Sequence, residues 1–298
     1  MDVYKDNQYL LFQINEEVAG QSIRDFLSSF HLSRKKIHEL YMAKTVKLNG
    51  EAVSFETILG KYDILGVPVF EEEGLDFIPQ KMKLEIVYED DHLLILNKPA
   101  GVMVHPDQKN GKNTLVNGVA HYYKEKGYHM QIRYIHRLDT DTSGGIIFAK
   151  HYLAHSLMDN WLSEKNITRR YLALVHGTLK VPKGIINEPI GKDRHHNARR
   201  RVAKNGDVAL THYQVVKSFK NYSLVSLELK TGRTHQIRVH MAHLGHPLLG
   251  DTLYGGTLPF KHLKRQALHS AQIKMKHPIT GETLELEIPL PRDMKELT

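Results

Sequence analysis

From Lys83 onward the chain is punctuated by apolar or alternating runs of strand length: LEIVYED, HLLILNKP, GGIIFAK, RRYLALVHG, LTHYQVVKSF, YSLVSLELK and LELEIPLP. Helix-period patterns intervene only at TLVNGVAHYYKEKG, HYLAHSLMDNWLSEK and THQIRVHMAHLG. Strands that succeed one another without regular strand–helix–strand alternation point to an α+β fold on a mixed, mostly antiparallel sheet.

The first part of the chain has a different pattern. Residues 1–16 hold one strand-like run, YLLFQIN, and read as an N-terminal extension. Residues 17–72 read as a separable unit of two helices and a small sheet. SIRDFLSSF and SRKKIHELYMA carry apolar residues at helical spacing, with Ser22 and Ser33 placed as N-caps. TVKLNGEAV then turns at Asn49-Gly50, a strong hairpin signal, and DILGVPVF returns as a strand. Residues 73–82 fall in the acidic, irregular EEEGLDFIPQKM and read as a linker; residues 83–298 form the large domain. A length of 298 residues accommodates one large and one small domain.

The formal charge of +8 favours a polyanionic partner. The absence of cysteine excludes disulfides, thiolate zinc sites and a cysteine nucleophile. MDVYKDNQYLLFQINEE lacks the apolar core of a signal peptide, and no run approaches the roughly 20 apolar residues of a membrane span. The expectation is a soluble, cytoplasmic chain.

The stretch YIHRLDTDTSGGIIFAK sets charged and turn-forming residues directly against a buried-strand pattern. In extended geometry Arg137 and Asp139 fall on one side, His136 and Leu138 on the other, so Leu138 can anchor in the core while Asp139 faces a cleft. On the local residues alone, a plain turn with Asp139 and Thr142 satisfying backbone groups is the first reading. Asp139 and Asp141 lie too close along one segment to flank a sugar. DTSGG lacks the first glycine of a serine-nucleophile elbow. HMAHLGH spaces His240, His243 and His246 without a nearby carboxylate, and no metal site is expected.

Positive charge gathers in GKDRHHNARRRVAKNG, where Arg199, Arg200 and Arg201 suit phosphate contacts, and in the first unit at Arg34 and Lys35. A third cluster, LKTGRTHQIRVHMAHLGHPLLGD, places Arg233, His235, Gln236 and Arg238 after a strand; a continuous helix there would put Arg238 and Thr234 on one face. Nucleic acid is the partner these patches favour.

HRLDTDTSGG resembles the H-R-L-D-x-x-T-S-G signature of the RluA-type pseudouridine synthases. LNKPAGVMVHP, RRYLALVHG, TGRTHQIRVHMAHLGHPLLGDTLYG and LHSAQIKMKHPITGETLELEIPLP resemble that family's other blocks, in family order, over about Leu84 to Arg292. The N-terminal region is similar to the alpha-L (S4-like) RNA-binding module, with Tyr62 interrupting its usual Gly-Asp. The resemblance implies an isomerase that converts uridine to pseudouridine in structured RNA, without cofactor, metal or obligatory protein partner. It implies Asp139 as nucleophile or as base on the ribose, Arg238 as its ion-pair partner, and Tyr171 as the ring stacked on uracil. Arg137 is similar to the arginine that fills the space left by the flipped base, and His136, Arg233 and Gln236 are expected beside the substrate. Large-subunit ribosomal RNA is the favoured target; transfer RNA, both pools, or an RNA-docking or assembly role with secondary chemistry are the alternatives.

Overall fold

The computed structural model of the protein describes residues 1–108, 110–257 and 263–298. Strands β1 (Asp2–Asp6) and β2 (Tyr9–Gln13) precede helices α1 (Ile23–Ser29) and α2 (Arg34–Ala43), and β3 (Lys47–Leu48), β4 (Glu51–Ala52) and β5 (Ile64–Pro68) follow. They form an antiparallel sheet of order β1-β2-β5-β3-β4. Ser22 and Ser33 cap the helices, their hydroxyls accepting from the N–H of Asp25 and Lys36. Asn49 and Gly50 take the positive φ that the tight β3–β4 turn requires, 51° and 90°. Because β2 pairs with β5 from Tyr9↔Pro68 to Gln13↔Ile64, residues 2–13 are part of this sheet. The boundary expected at residue 16 is therefore no break: the apolar face of Leu10 and Phe12 is buried by the helices that follow it.

The larger unit runs β6 (Ile86–Glu89), β7 (Leu93–Lys98), α3 (Leu115–Glu125), β8 (Arg133–Tyr134), β9 (Ser143–Ala149), α4 (Tyr152–Ser163), β10 (Thr168–His176) and β11 (Lys183–Asn187). It continues with β12 (Ile190–Lys192), β13 (Arg200–Val202), β14 (Leu210–Ser218), β15 (Tyr222–Leu229), α5 (Gln236–His243), β16 (Leu268–Lys276), β17 (Thr283–Glu287) and α6 (Arg292–Lys295). The main sheet has the order β11-β14-β15-β10-β16-β9-β7-β6, with β17 on β16 and β8 on β9, and β12–β13 is a separate hairpin. Among the described strands every pairing is antiparallel except a two-residue parallel contact, His269↔Ser143 and Ser270↔Gly144, where β16 meets β9. The mixed, mostly antiparallel α+β architecture matches the strand pattern.

β16 lies in the middle of the sheet and buries polar side chains beside its alternating Ala271, Ile273 and Met275: His269, Ser270 and Gln272 are all buried. His269 is satisfied sideways, with Nδ1 2.9 Å from Ser143 Oγ and Nε2 3.1 Å from the Ile288 carbonyl. The segment expected as a linker is irregular but tied down. Arg133 donates to Glu73 at 2.7 Å, Ile132 N–H to Asp76 at 3.0 Å, and Leu75, Phe77 and Met82 pack on the main core.

The small unit sits on α4. Leu153 and Leu157 join the cluster of Phe12, Phe26 and Leu65, each such side chain contributing about 1.5–3 kcal/mol by burial. Lys36 Nζ lies 4.3 Å from the centre of the Tyr152 ring, and Ser156 donates to the His31 carbonyl at 2.6 Å. At the same junction His151 caps α4: its Nδ1 accepts from Ala154 N–H, so its Nε2–H is the donor toward His92 Nδ1 at 2.9 Å. Burial holds His151 well below its ordinary pKa and lowers His92 to about 4; burial, then the Arg169 charge, lowers His136 to about 3. These folded values lie below the unfolded ones. As pH falls below about 6.5, the unfolded chain therefore takes up protons that the fold refuses, and stability is lost. The urea midpoint is expected to drop between pH 7 and pH 5, with His136 contributing about 2 kcal/mol and His151 acting in the same direction. A midpoint unchanged over that interval would contradict the buried neutral state.

Candidate active site

The backbone ahead of β9 alternates as its residues dictate: His136 and Leu138 are buried, Arg137 is exposed, and Asp139 is half-buried on the cleft side. Thr142 N–H closes a turn onto the Asp139 carbonyl at 3.0 Å. The turn is gripped from two sides. The buried Lys98 ammonium donates to the carbonyls of Pro99, Val102 and Thr140 at 2.9, 2.7 and 2.8 Å. Burial lowers Lys98 to about 7, with Asp141 and Asp139 acting in the opposite sense. Three carbonyls match the three N–H groups of the charged form, and that pairing fixes the LNKPAG loop against the turn. From the other side Arg265 donates to the Asp141 carbonyl at 3.0 Å while its guanidinium forks onto Asp293 at 2.8 and 3.0 Å.

Gly144 follows with φ +112°, and a Cβ there would lie 2.3 Å from the Ser270 carbonyl oxygen. Only glycine lets β9 approach β16 this closely, which sets the Asp139 turn at the sheet's centre.

The facing wall comes from α5. Its expected start is corrected by the structure: the helix begins at Gln236, and His235, with φ 59°, is its N-cap. Thr234 lies outside it and shares no helical face with Arg238. Gln236 was expected among the groups that meet RNA, but its amide is spent inside the protein. It accepts from Thr231 Oγ1 and Arg233 N–H, and donates to the Leu210 carbonyl and Thr211 Oγ1. The residue fastens the 231–233 turn to β14.

Arg238 is 7% exposed and joins two carboxylates. Its Nε and Nη2 fork onto the buried Asp251 at 2.7 and 2.9 Å, and its Nη1 donates to Asp139 Oδ2 at 3.1 Å. Burial opposes the guanidinium charge, but Asp251 and then Asp139 more than offset it, and its pKa is raised. Asp251 thus fixes the plane of the guanidinium, and the guanidinium fixes Asp139. Among the described residues the second oxygen of Asp139, Oδ1, has no hydrogen-bond partner. A carboxylate held through one oxygen and free at the other can add to carbon or take a proton.

Tyr254 packs beneath the pair, its ring centre 5.0 Å from the Arg238 guanidinium. Its phenol oxygen accepts from Arg200 N–H and meets His235 Nδ1, both at 2.8 Å. That leaves His235 Nε2 turned toward Asp139 Oδ2 at 3.8 Å. Burial lowers the His235 pKa against the pull of Asp139. Tyr171, 4% exposed, presents its ring from β10; burial raises its phenol pKa.

His136, Arg137, Asp139, Tyr171, Arg233, Gln236 and Arg238 all line one cleft of about 590 Å³. Arg137 stands at its exposed rim, 3.2 Å from His105 Nε2, and His136 lies buried in its wall with neither ring nitrogen partnered. Arg199, Arg200 and Arg201 reach the site only through the β12–β13 hairpin, where Arg200 N–H and the Arg199 guanidinium, 5.7 Å from the ring centre, meet Tyr254. Arg34 and Lys35 are exposed on α2, in the small unit and away from the cleft. The residue patterns missed Asp251, Tyr254, Lys98, Arg169 and Arg265. The partners that reveal Asp251 and Arg265 lie beyond the neighbouring residues along the chain, as with Arg265 and Asp141, 124 positions away.

The sequence of this chain matches the family model described as RNA pseudouridylate synthase over residues 92–243, and a model of the RluD ribosomal pseudouridine synthase N-terminal domain over residues 10–65. It is 46% identical over 287 residues to the uncharacterized RNA pseudouridine synthase YhcT of Bacillus subtilis, covering 95% of this chain and 94% of that protein. It is 35% identical to ribosomal large subunit pseudouridine synthase D of Escherichia coli K12, covering 95% and 91%. Among solved structures, human RNA pseudouridylate synthase domain containing 1 superposes with a TM-score of 0.57 at 28% identity, over 70% of this chain and 83% of that one. A carboxylate gripped at the floor of a cleft, with these matches spanning nearly the whole sequence, places the chain in the RluA-type family of RNA pseudouridine synthases.

Proposed function

We propose that the protein isomerises uridine to pseudouridine in large-subunit ribosomal RNA, with Asp139 as the reacting group. The observation that carries this reading is the Asp139–Arg238–Asp251 chain of hydrogen bonds at the floor of the cleft, beside the Tyr171 ring. The reaction breaks the C1′–N1 bond, rotates the uracil and forms a C1′–C5 bond; N1 gains a proton and C5 loses one to solvent. Asp139 acts either by adding to the sugar or by taking a proton from the ribose, and both routes use the ionised carboxylate with one free oxygen. Arg238 orients it without reorganising, because Asp251 holds the guanidinium in place beforehand.

The uracil must leave its stack to reach this floor, at a cost of a few kcal/mol. The Tyr171 face receives the base, and Arg137 at the exposed rim is placed to fill the space left behind. Exposed cations on two separate surfaces, α2 and the β12–β13 hairpin, suit a large folded RNA touched at several points. Residues 17–72 serve as the docking module in this reading. The names carried by relatives such as synthase D favour ribosomal over transfer RNA.

The test is tritium release from RNA labelled at C5 of uridine, with ribosomal and transfer RNA assayed separately. Release from the large-subunit pool alone is expected. Release from transfer RNA alone would overturn the target while leaving the chemistry in place.

A further inference from the structure

Among the described residues, the buried cations of this protein are answered from within, with one exception. Lys150 pairs with Glu89, Arg238 with Asp251, Arg265 with Asp293, and Lys98 with three carbonyls. Arg169 is 7% exposed, its side chain forms no ion pair or hydrogen bond with any described residue, and its Nε is shut away from solvent without a partner. A buried guanidinium left unanswered is costly to the fold. It lines the same cleft as Asp139 and Tyr171.

Its position says what the charge is for. Arg169 and Tyr171 are the two buried residues flanking exposed Arg170 on β10, so both side chains leave the same face of the strand. Two strand steps separate their Cα atoms by about 6.6 Å, and both side chains line the one cleft. The tip of the side chain ends beside Gly232, where a Cβ would sit 3.8 and 4.0 Å from Nη2 and Nη1. A glycine there leaves one side of the guanidinium clear. Next to it His136 offers a neutral ring with two unpartnered nitrogens. Asp139 does not supply the missing charge, because Arg238 holds it.

We propose that Arg169 is a substrate-binding residue, gripping a phosphodiester that flanks the target uridine while the uracil lies against Tyr171. The inference rests on the reading of Asp139 and Tyr171 given above. A full positive charge without a counter-ion calls for an anion rather than a uracil carbonyl, and the planar fork matches two phosphate oxygens.

The test compares the parent protein with Arg169→Met and Arg169→Lys on large-subunit ribosomal RNA, or on transfer RNA if that pool releases tritium. Filter binding between about 50 and 200 mM salt, single-turnover tritium release and thermal unfolding are measured together. For Arg169→Met the expected results are binding weaker by about 10- to 100-fold and a log K against log salt slope shallower by about 0.7 to 0.9. Its melting temperature should equal or exceed the parent's, since an unanswered buried charge has gone. Arg169→Lys should recover the slope and part of the affinity. A lower melting temperature with an unchanged slope would assign Arg169 to the scaffold. Unchanged binding, whether or not the rate falls, would also overturn the phosphate contact. Asp139→Asn, run alongside, reports on the underlying reading separately: its retained activity would sink the reaction scheme while leaving the binding comparison intact.

Discussion

Asp139→Asn is expected to reduce pseudouridine formation by at least about 10⁴-fold, the scale on which removing a reacting side chain from a preorganised site is felt. The substitution keeps size and shape, and the amide oxygen can still accept from Arg238 Nη1. Arg238 also retains both bonds to Asp251. The variant should therefore unfold within about 1 kcal/mol of the parent, since the residue is half-buried and makes one side-chain hydrogen bond. Single-turnover tritium release on the RNA pool that the parent modifies gives the rate. Activity above a hundredth of the parent's would show that another group performs the chemistry.

Asp251→Asn carries the second large effect, on stability and rate together. Asp251 is 1% exposed and receives a forked pair of bonds from a guanidinium that is itself buried. An amide offers one acceptor oxygen and brings an N–H₂ against the guanidinium, so the fork is broken and the arginine charge loses its main counter-ion. Breaking a buried pair in this way costs about 3–5 kcal/mol. A guanidinium freed to shift by an ångström misplaces Asp139, and displacement on that scale costs about 10²-fold in rate. The two effects separate if rates are taken at a temperature where the variant is fully folded by circular dichroism. In an Asp139→Asn background the rate penalty should vanish, because Asp251 acts on the rate through Asp139. A folded Asp251→Asn protein with the parent's rate would refute that linkage.

The parts of this molecule that could be read from its residues are those governed by neighbours in sequence. Ser22, Ser33 and Asn49-Gly50 set caps and a turn within a few positions, and the alternation His136–Arg137–Leu138–Asp139 sorts core from cleft over four residues. The first half of β16 was not legible as a strand because His269 and Ser270 are buried there in succession; only Ala271, Ile273 and Met275 keep an alternating apolar pattern. The start of α5 was misjudged because a left-handed His235, held by Tyr254, breaks the pattern directly after Thr234, a residue compatible with helix. The geometry of the site depends on contacts across 99 positions for Asp139 with Arg238 and 124 for Arg265 with Asp141. Family resemblance supplied Asp139, Tyr171 and Arg238, but nothing local announces Asp251 as the brace, or Arg169 as a charge kept unpaired.

The place of β16 between β9 and β10 also bears on how the protein comes into being. A ribosome delivers β9 and β10 well before residues 268–276, and until those arrive neither strand has its inner partner. Pairings over such separations close late and slowly. The half-built sheet must wait with open edges, the state in which growing chains are most prone to mispair. Asp139 is therefore synthesised near the middle of the chain, and the turn that carries it is expected to acquire its final setting only once β16 has slid into the gap beside Ser143 and Gly144.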